Sequence, residues 1–494
     1  MSATIDADET DSRFMAEAIA LSRTHLGLTG SNPSVGTLIV RDDGDGPRVV
    51  GRGVTAIGGR PHAETQALAE AGDLARGATA YVTLEPCAHH GRTPPCAEAL
   101  VAAGVARVVG AASDPDSRVS GKGYAILRAA GISVTEGVMS AEARYVIAGY
   151  LTRSLKKRPQ VILKLAVSSD GMIGRRGAGQ VAITGREARE EVQHMRAEAD
   201  VIAVGVGTVI ADDPQLTCRL PGLEHRSPIR LIVDSRLRTP LSSVVVRTAR
   251  TTPTWIATCE ADPSRHAPYV GAGCRIVATD IWSGRVALPE LLEDLAAQGL
   301  SVVLLEGGAE LASAFLSEGL VDRIALFTGP DTIGEGGVAA PLTHLHSGQL
   351  QTVGGAASSG VKVSVIGNWS ADTPTPSASP TPLPRFPGER NGAAPLEGAL
   401  PRPPGGGEVP SEARGSGGEQ RVTPTPDPSP QGGGGGKVEA LAPPSPLRGG
   451  AGGGGEAVQK LETRGTENTL LPFTFTRTTR FGPDRYVEFE RNED

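Results

Sequence analysis

The stretch TLEPCAHHGRTPPCAEAL, residues 83–100, decides how the first half of this 494-residue chain is read. It sets Cys87 and Cys96 nine positions apart in a chain with only five cysteines, each directly behind a proline. Cys87 follows a strand-like run and Cys96 opens a helix-like one. An odd cysteine count, in a chain whose acidic first residues MSATIDADETDSRF hold no apolar core, fits reduced thiols on a metal better than a disulfide framework. A third ligand type lies upstream in RPHAETQALAEAG, residues 60–72, which supplies His62 together with Glu64.

A zinc site that does chemistry takes three protein ligands and leaves its fourth position to water. His62, Cys87 and Cys96 meet that count. Pro61 favours a first helical turn from which His62 and Glu64 both address a point off the helix end. Cys96, at another helix start, is favoured as a thiolate by the helix dipole. A water whose pKa the metal lowers to about 7 can attack an amidine-like ring carbon, and Glu64 is then the general acid/base that carries its proton to the departing nitrogen. H-x-E followed by P-C is the pattern of zinc nucleobase deaminases, although their second cysteine comes three residues on instead of nine. Two plainer readings compete: a surface His–Glu pair with inert cysteines, or a four-coordinate structural zinc completed by His89 or His90.

Around this stretch, residues 13–149 alternate helical and strand-like runs, which implies a sheet with helices on both faces. The pattern pauses at LTRSLKKRPQ, and Pro159 opens a second α/β unit whose strands, such as VIAV and VVLL, are apolar without alternation. Residues 371–465 are Pro- and Gly-rich with Phe386 as their one aromatic residue, a composition too poor in apolar surface to fold, and are expected to be a disordered insertion. The closing LPFTFTRTTRFGPDRYVEFER reads as a hairpin that returns to the second sheet, because an isolated hairpin is marginal in water. The domains expected are 1–150, then 160–370 with 466–494. Net charge is −7 without a Lys/Arg run, which disfavours a nucleic-acid surface, and no stretch is long and apolar enough to span a membrane. The expected location is cytoplasmic, the expected partner a small molecule, and the expected assembly a homo-oligomer.

NPSVG (32–36), HAE (62–64) and TLEPCAHHGRTPPC (83–96) resemble the deaminase half of the bifunctional deaminase/reductase family of riboflavin biosynthesis. The resemblance implies a cytidine-deaminase-like three-layer α/β domain in which His62, Cys87 and Cys96 bind zinc and Glu64 shuttles the proton. It implies a phosphorylated diaminopyrimidine as substrate, with Asn32 at the ring or ribose and His89 and Arg92 at the phosphate. KLAVSSDG (164–171), QVAIT (180–184), MRAEADVIAVGVGTVIADDPQLTCR (195–219), RLIVDS (230–235) and VVLLEGGAEL (302–311) are similar to the reductase half, which implies a dihydrofolate-reductase-like domain using NADPH. Carried over by position, the cofactor meets Ala166, Ala182, Thr208, Asp212, Ser235, and Gly308, Ala309, Glu310, Leu311, Ala312, Ser313 and Ala314. Substrate meets Lys164, Gln180, Arg196, Leu216, Arg219 and Glu306, with Arg196 and Arg219 suited to a phosphate. Ala182 stands where many relatives have tryptophan, and Gln180 where they have a small polar residue. Other readings are a cytidine-type deaminase fused to a pteridine-type reductase, or a zinc-stabilised scaffold whose PTPSASPTPLP segment recruits partners.

Overall fold

The computed structural model describes residues 7–91, 94–342 and 473–492. Residues 371–465, read above as an insertion, lie outside the described residues, as does the GVKVSVIG run.

The first sheet contains β1 (Gly36–Arg41), β2 (Arg48–Val54), β3 (Thr79–Leu84), β4 (Arg107–Ala112) and β5 (Ser133–Thr135), in the order β2-β1-β3-β4-β5. β1 runs antiparallel to β2 and β3, and β3, β4 and β5 are parallel. The helices are α1 (Ala7–Arg23), α2 (Ala63–Ala71), α3 (Cys96–Ala103), α4 (Lys122–Ala129), α5 (Ser140–Val146) and α6 (Ala148–Lys156). A side-chain carbon on Gly53 would sit 2.0 Å from the Ala63 carbonyl oxygen of α2, and one on Gly36 2.0 Å from that of Ala18 in α1. Gly36 and Gly53 point to opposite faces, so α1 and α2 cover the sheet from two sides and complete three layers. Only glycine at position 53 lets α2, with His62 and Glu64 at its start, lie this close to the sheet.

Where the hydrophobic pattern pauses, the chain is nevertheless helical. α6 runs through LTRSLK with Leu151 buried in the first core and the backbone at Gly149 against Val302 of the second half. One apolar residue per turn suffices because the helix lies between two bodies and needs only a narrow buried stripe.

The second half is built on β6 (Gln160–Val167), β7 (Met172–Arg175), β8 (Val201–Gly205), β9 (Ile229–Val233), β10 (Thr254–Thr258), β11 (Arg275–Ala278), β12 (Ile281–Trp282), β13 (Arg285–Val286), β14 (Val302–Glu306), β15 (Arg323–Thr328), β16 (Gly337–Ala339), β17 (Phe473–Phe481) and β18 (Asp484–Arg491). Nine of these form one sheet, β11-β10-β9-β8-β14-β6-β15-β18-β17, parallel from β11 to β15. Its helices are α7 (Arg186–Glu198), α8 (Val206–Asp212), α9 (Val244–Arg247), α10 (Pro263–Ala272), α11 (Leu288–Ala297) and α12 (Ala309–Ser317). The unalternating VIAV of β8 has its reason here: Val201 and Ala203 enter one core, Ile202 and Val204 the other. The closing residues do form a hairpin, and β18 pairs antiparallel with β15. Leu342 and Phe473, which flank the undescribed segment, are buried in the same core.

Candidate active sites

In the first half, three short segments meet at one point. The cis-linked Pro61 lies just outside α2, not in its first turn, and His62 is the N-cap in an extended conformation (φ −71°, ψ 161°). That backbone swings the imidazole off the helix start while Glu64, inside the first turn, stays buried at 4 % exposure. Cys87 lies three residues beyond β3, and Cys96 is the first residue of α3. The Cys96 N–H donates to Cys87 Sγ (3.3 Å) and the Ala97 N–H to the Cys87 carbonyl oxygen (3.2 Å), so the long loop between the cysteines is pinned at its base.

His62 Nδ1 stands 3.7 Å from Cys87 Sγ and 3.4 Å from Cys96 Sγ, and the three ligand atoms all lie within 4.8 Å of one another. A tetrahedral zinc, with bonds of about 2.3 Å to sulfur and about 2.0 Å to nitrogen, sets these atoms about 3.6 Å apart. The residues fit the ion. Among the described residues the cluster has three members: His90 instead meets Glu98 (3.3 Å), and His89 does not join it. A hydrogen bond from Cys96, with His62 beside it, holds the Cys87 thiol down at about 4. Cys96 is pushed up by Cys87 and by burial, and His62 is raised by its contact with Cys87. Burial and then the Cys87 charge push Glu64 up to about 7, where a carboxyl can both take and give a proton near neutrality.

Asn32 is half-buried in the turn before β1, and Gly59, three residues before His62, packs against its side chain. His89 is half-buried, with its Nδ1 enclosed and without a partner among the described residues. Arg92 lies outside the described residues. The sequence reading passed over Asp114, which is 6 % exposed just past β4, accepts from Tyr150 Oη (3.0 Å) and feels the Cys87 charge. The available signal was its place at the carboxyl end of a parallel strand, where α/β sheets bind ligands.

The second site grows from the middle of β6 and the end of β14. Lys164 and Glu306 are cross-strand partners, and Arg196 from α7 grips Glu306 with both arms of its fork (2.7 and 2.9 Å). Arg196 also donates to the Thr217 carbonyl oxygen (3.0 Å). Three of its five N–H groups are therefore engaged, whereas Arg219, a few residues on from the buried Leu216, is exposed. Burial pushes Lys164 down despite the Glu306 charge, and its Nζ lies 5.9 Å from the Phe327 ring centroid. Leu216 is buried with φ +55°. The Gly308 N–H donates to Thr208 Oγ1 (3.2 Å), which joins the first turn of α8 to the N-cap of α12. Asp212 ends α8 and is exposed, Ala166 is half-buried on β6, and Ser235 Oγ accepts from the Val286 N–H (3.1 Å). Gln180 and Ala182 are exposed between β7 and α7. One cofactor position needs correction: Ala312 is 0 % exposed inside the core and its N–H is bonded to the Gly308 carbonyl oxygen, so it packs the helix and faces no ligand. Carrying a whole run across ignored the helical period, which turns one residue in three or four inward.

Known families match both halves. The cytidine and deoxycytidylate deaminase zinc-binding region matches residues 8–112, and the RibD C-terminal domain residues 159–355. The riboflavin biosynthesis protein RibD of Escherichia coli is 40% identical over 336 residues, spanning 66% of this chain and 89% of the relative; that of Aquifex aeolicus is 38% identical over 328 residues, spanning 66% and 89%. Acinetobacter baumannii RibD superposes with a TM-score of 0.59 at 39% identity, over 67% of this chain and 90% of the other. The Thermotoga maritima diaminohydroxyphosphoribosylaminopyrimidine deaminase/5-amino-6-(5-phosphoribosylamino)uracil reductase gives 0.59 at 32% identity, over 68% and 90%. Among the described residues no helix is long and apolar enough to cross a membrane. Both halves occur in one order over nearly the full length of these relatives, and the chain belongs to the RibD family, the bifunctional zinc-dependent deaminases and NADPH-dependent reductases of riboflavin biosynthesis.

Proposed function

We propose that residues 1–150 deaminate a phosphorylated diamino-ribosylamino-pyrimidinone, and that residues 160–370 with 466–494 reduce its ribosyl group to a ribityl chain, both in the cytoplasm. The observation that carries the first step is the His62–Cys87–Cys96 spacing with Glu64 buried beside it. Zinc held there supplies a water acidic enough to attack near pH 7. Glu64 would take up a proton on a carboxylate oxygen and return it to the amino group that leaves as ammonia. Asn32 orients the ring or ribose, and His89 and Arg92 receive the phosphate.

For the second step, NADPH when bound would supply a hydride to the sugar C1′. Thr208, Asp212, Ser235, Ala166, Ala182 and the exposed face of Gly308–Ala314 hold the cofactor. Lys164 and Glu306 bind sugar hydroxyls, with Gln180 and Leu216 beside them. Arg196 keeps Glu306 charged and in place, and Arg219 meets the phosphate. The test supplies the purified full chain with the diaminopyrimidine phosphate and follows ammonia release and NADPH oxidation. The proposal expects ammonia without NADPH, NADPH oxidation only after ammonia, and loss of both when zinc is chelated before substrate is added. NADPH oxidation that survives chelation would overturn the order of steps.

A further inference from the structure

The loop that carries Asn32 is shared between the two halves. On its inner side, residues 24–35 are bound to the segment leading into His62: the Gly58 N–H donates to the Leu28 carbonyl oxygen (2.8 Å), the Thr55 N–H to that of Val35 (2.9 Å), and His25 Nδ1 meets the Thr55 carbonyl oxygen (2.7 Å). Thr29 Oγ1 donates to the Asn32 carbonyl oxygen (2.7 Å) and closes the turn. These contacts fix the base of the loop.

Its outer side is held from the reductase half. Arg226, 7 % exposed, donates from Nη2 to the Leu26 carbonyl oxygen. Gly27, at φ +71°, lies against the end of α7; a side-chain carbon there would stand 3.1 Å from the Glu198 carbonyl oxygen and 3.2 Å from that of Ala197. Ser31 packs on Gly299. Arg153 of α6 donates from Nη2 to the Ser31 carbonyl oxygen and from Nε to Ser301 Oγ (2.9 Å), tying residue 31 to the strand-entry turn of β14. The contacts at residues 26, 27 and 31 leave Asn32 little freedom to move away from Gly59, three residues before His62. Arg226 of the reductase half and Arg153 of the connecting helix α6 thus hold the side of the loop that the deaminase half's own contacts leave open.

We propose that Arg226, with Arg153, is a positioning residue for deamination: a side chain of the reductase half sets the place of a deaminase substrate contact through the backbone of residues 26–31. This rests on the reading of Asn32 as a substrate contact. Misplacing such a contact by about 1 Å costs on the order of a hundredfold in rate when the reacting geometry is strict, and less when substrate pulls the loop back.

The test uses the full chain and the diaminopyrimidine phosphate. Arg226→Met keeps the apolar stem and removes the donors; kcat/KM for ammonia release is expected to fall about tenfold, mostly through KM, with bound zinc and NADPH oxidation on the deaminated substrate unchanged. Arg226→Lys is expected to restore part of the loss. The double variant Asn32→Ala, Arg226→Met is expected to deaminate no more slowly than Asn32→Ala alone, because Arg226 acts only through that residue. Arg153→Met, on the same loop from another element, is expected to repeat the pattern and serves if Arg226→Met does not fold. Normal deamination in both arginine variants, or multiplicative losses in the double variant, overturns the proposal. If Asn32→Ala itself deaminates normally, the reading of Asn32 fails, a different result from wild-type behaviour in the arginine variants alone.

Discussion

The two active sites of this chain are made of different materials. The deaminase site uses scarce residue types, two of five cysteines and a histidine, with a carboxyl beside them. Its ligands must donate to one small ion, so few side chains can substitute and their order is conspicuous. The reductase site uses common residues, lysine, arginine, glutamate, threonine and glycine, drawn from strand and helix ends between residues 164 and 314. The contacts proposed for it include backbone N–H groups at the start of α12, which any sequence possesses. The lesson is that chemistry demanding particular atoms leaves a sequence signature, whereas a binding surface made from shape and backbone does not.

That contrast can be broken most sharply at Glu64. Glu64→Gln should lower ammonia release by about a thousandfold, within the usual range for a lost general acid/base, with NADPH oxidation on the deaminated substrate untouched. Equal loss of both activities would mean that the sites are not separable. Next in size is Arg196→Met, which strands the Glu306 charge at a site only about a tenth exposed. Breaking such a pair costs about 3–5 kcal/mol. Urea unfolding should show the reductase half melting early while zinc stays bound in the other.

Glu306→Gln probes the same pair through pH. Burial pushes the Glu306 carboxyl up, but Arg196 and then Lys164 outweigh it and hold it below the ordinary 4.5. A depressed carboxyl stabilises the fold fully above 4.5 and loses that contribution as pH falls through its lower folded value. Wild type should therefore exceed Glu306→Gln by about 2 kcal/mol at pH 7, and the gap should close as pH falls progressively below 4.5. A gap that widens in acid would reverse the assignment.

Smaller effects concern what joins the halves. Tyr145 of α5 lies under Arg323 (4.0 Å to the ring centroid) and donates to Glu488 (3.1 Å), which also accepts from Tyr486. Tyr145→Phe keeps the ring and removes one charged hydrogen bond, for an expected loss of about 1 kcal/mol with both activities intact. Smallest of all is deletion of residues 375–462. Because Leu342 and Phe473 already share a core, both activities should stay within about twofold of wild type.

Much of the architecture was legible because period is visible in a sequence. The alternation of residues 13–149 and the unalternating strands after Pro159 reported two covered sheets, and the alternation around Gly482-Pro483 reported a hairpin whose partner strand, β15, was not named. α6 escaped because its polar surface suited a linker until a second body was seen against it. Asp114 escaped because an aspartate in SDPD looks like turn chemistry. Arg226 and Arg153 escaped for a different reason, since each reaches a carbonyl oxygen 200 or 122 residues away.

The sequence by itself determined the family, the order of the two halves, and the His62, Cys87 and Cys96 cluster, because metal coordination accepts few donor atoms and those atoms were countable. Only the tertiary structure decided that Arg196 is committed to Glu306, that Ala312 turns inward, and that the Asn32 loop is gripped from the other half. These depend on which groups fill one another's hydrogen bonds across space, and arginine or backbone carbonyl is too common for spacing along the chain to reveal the match.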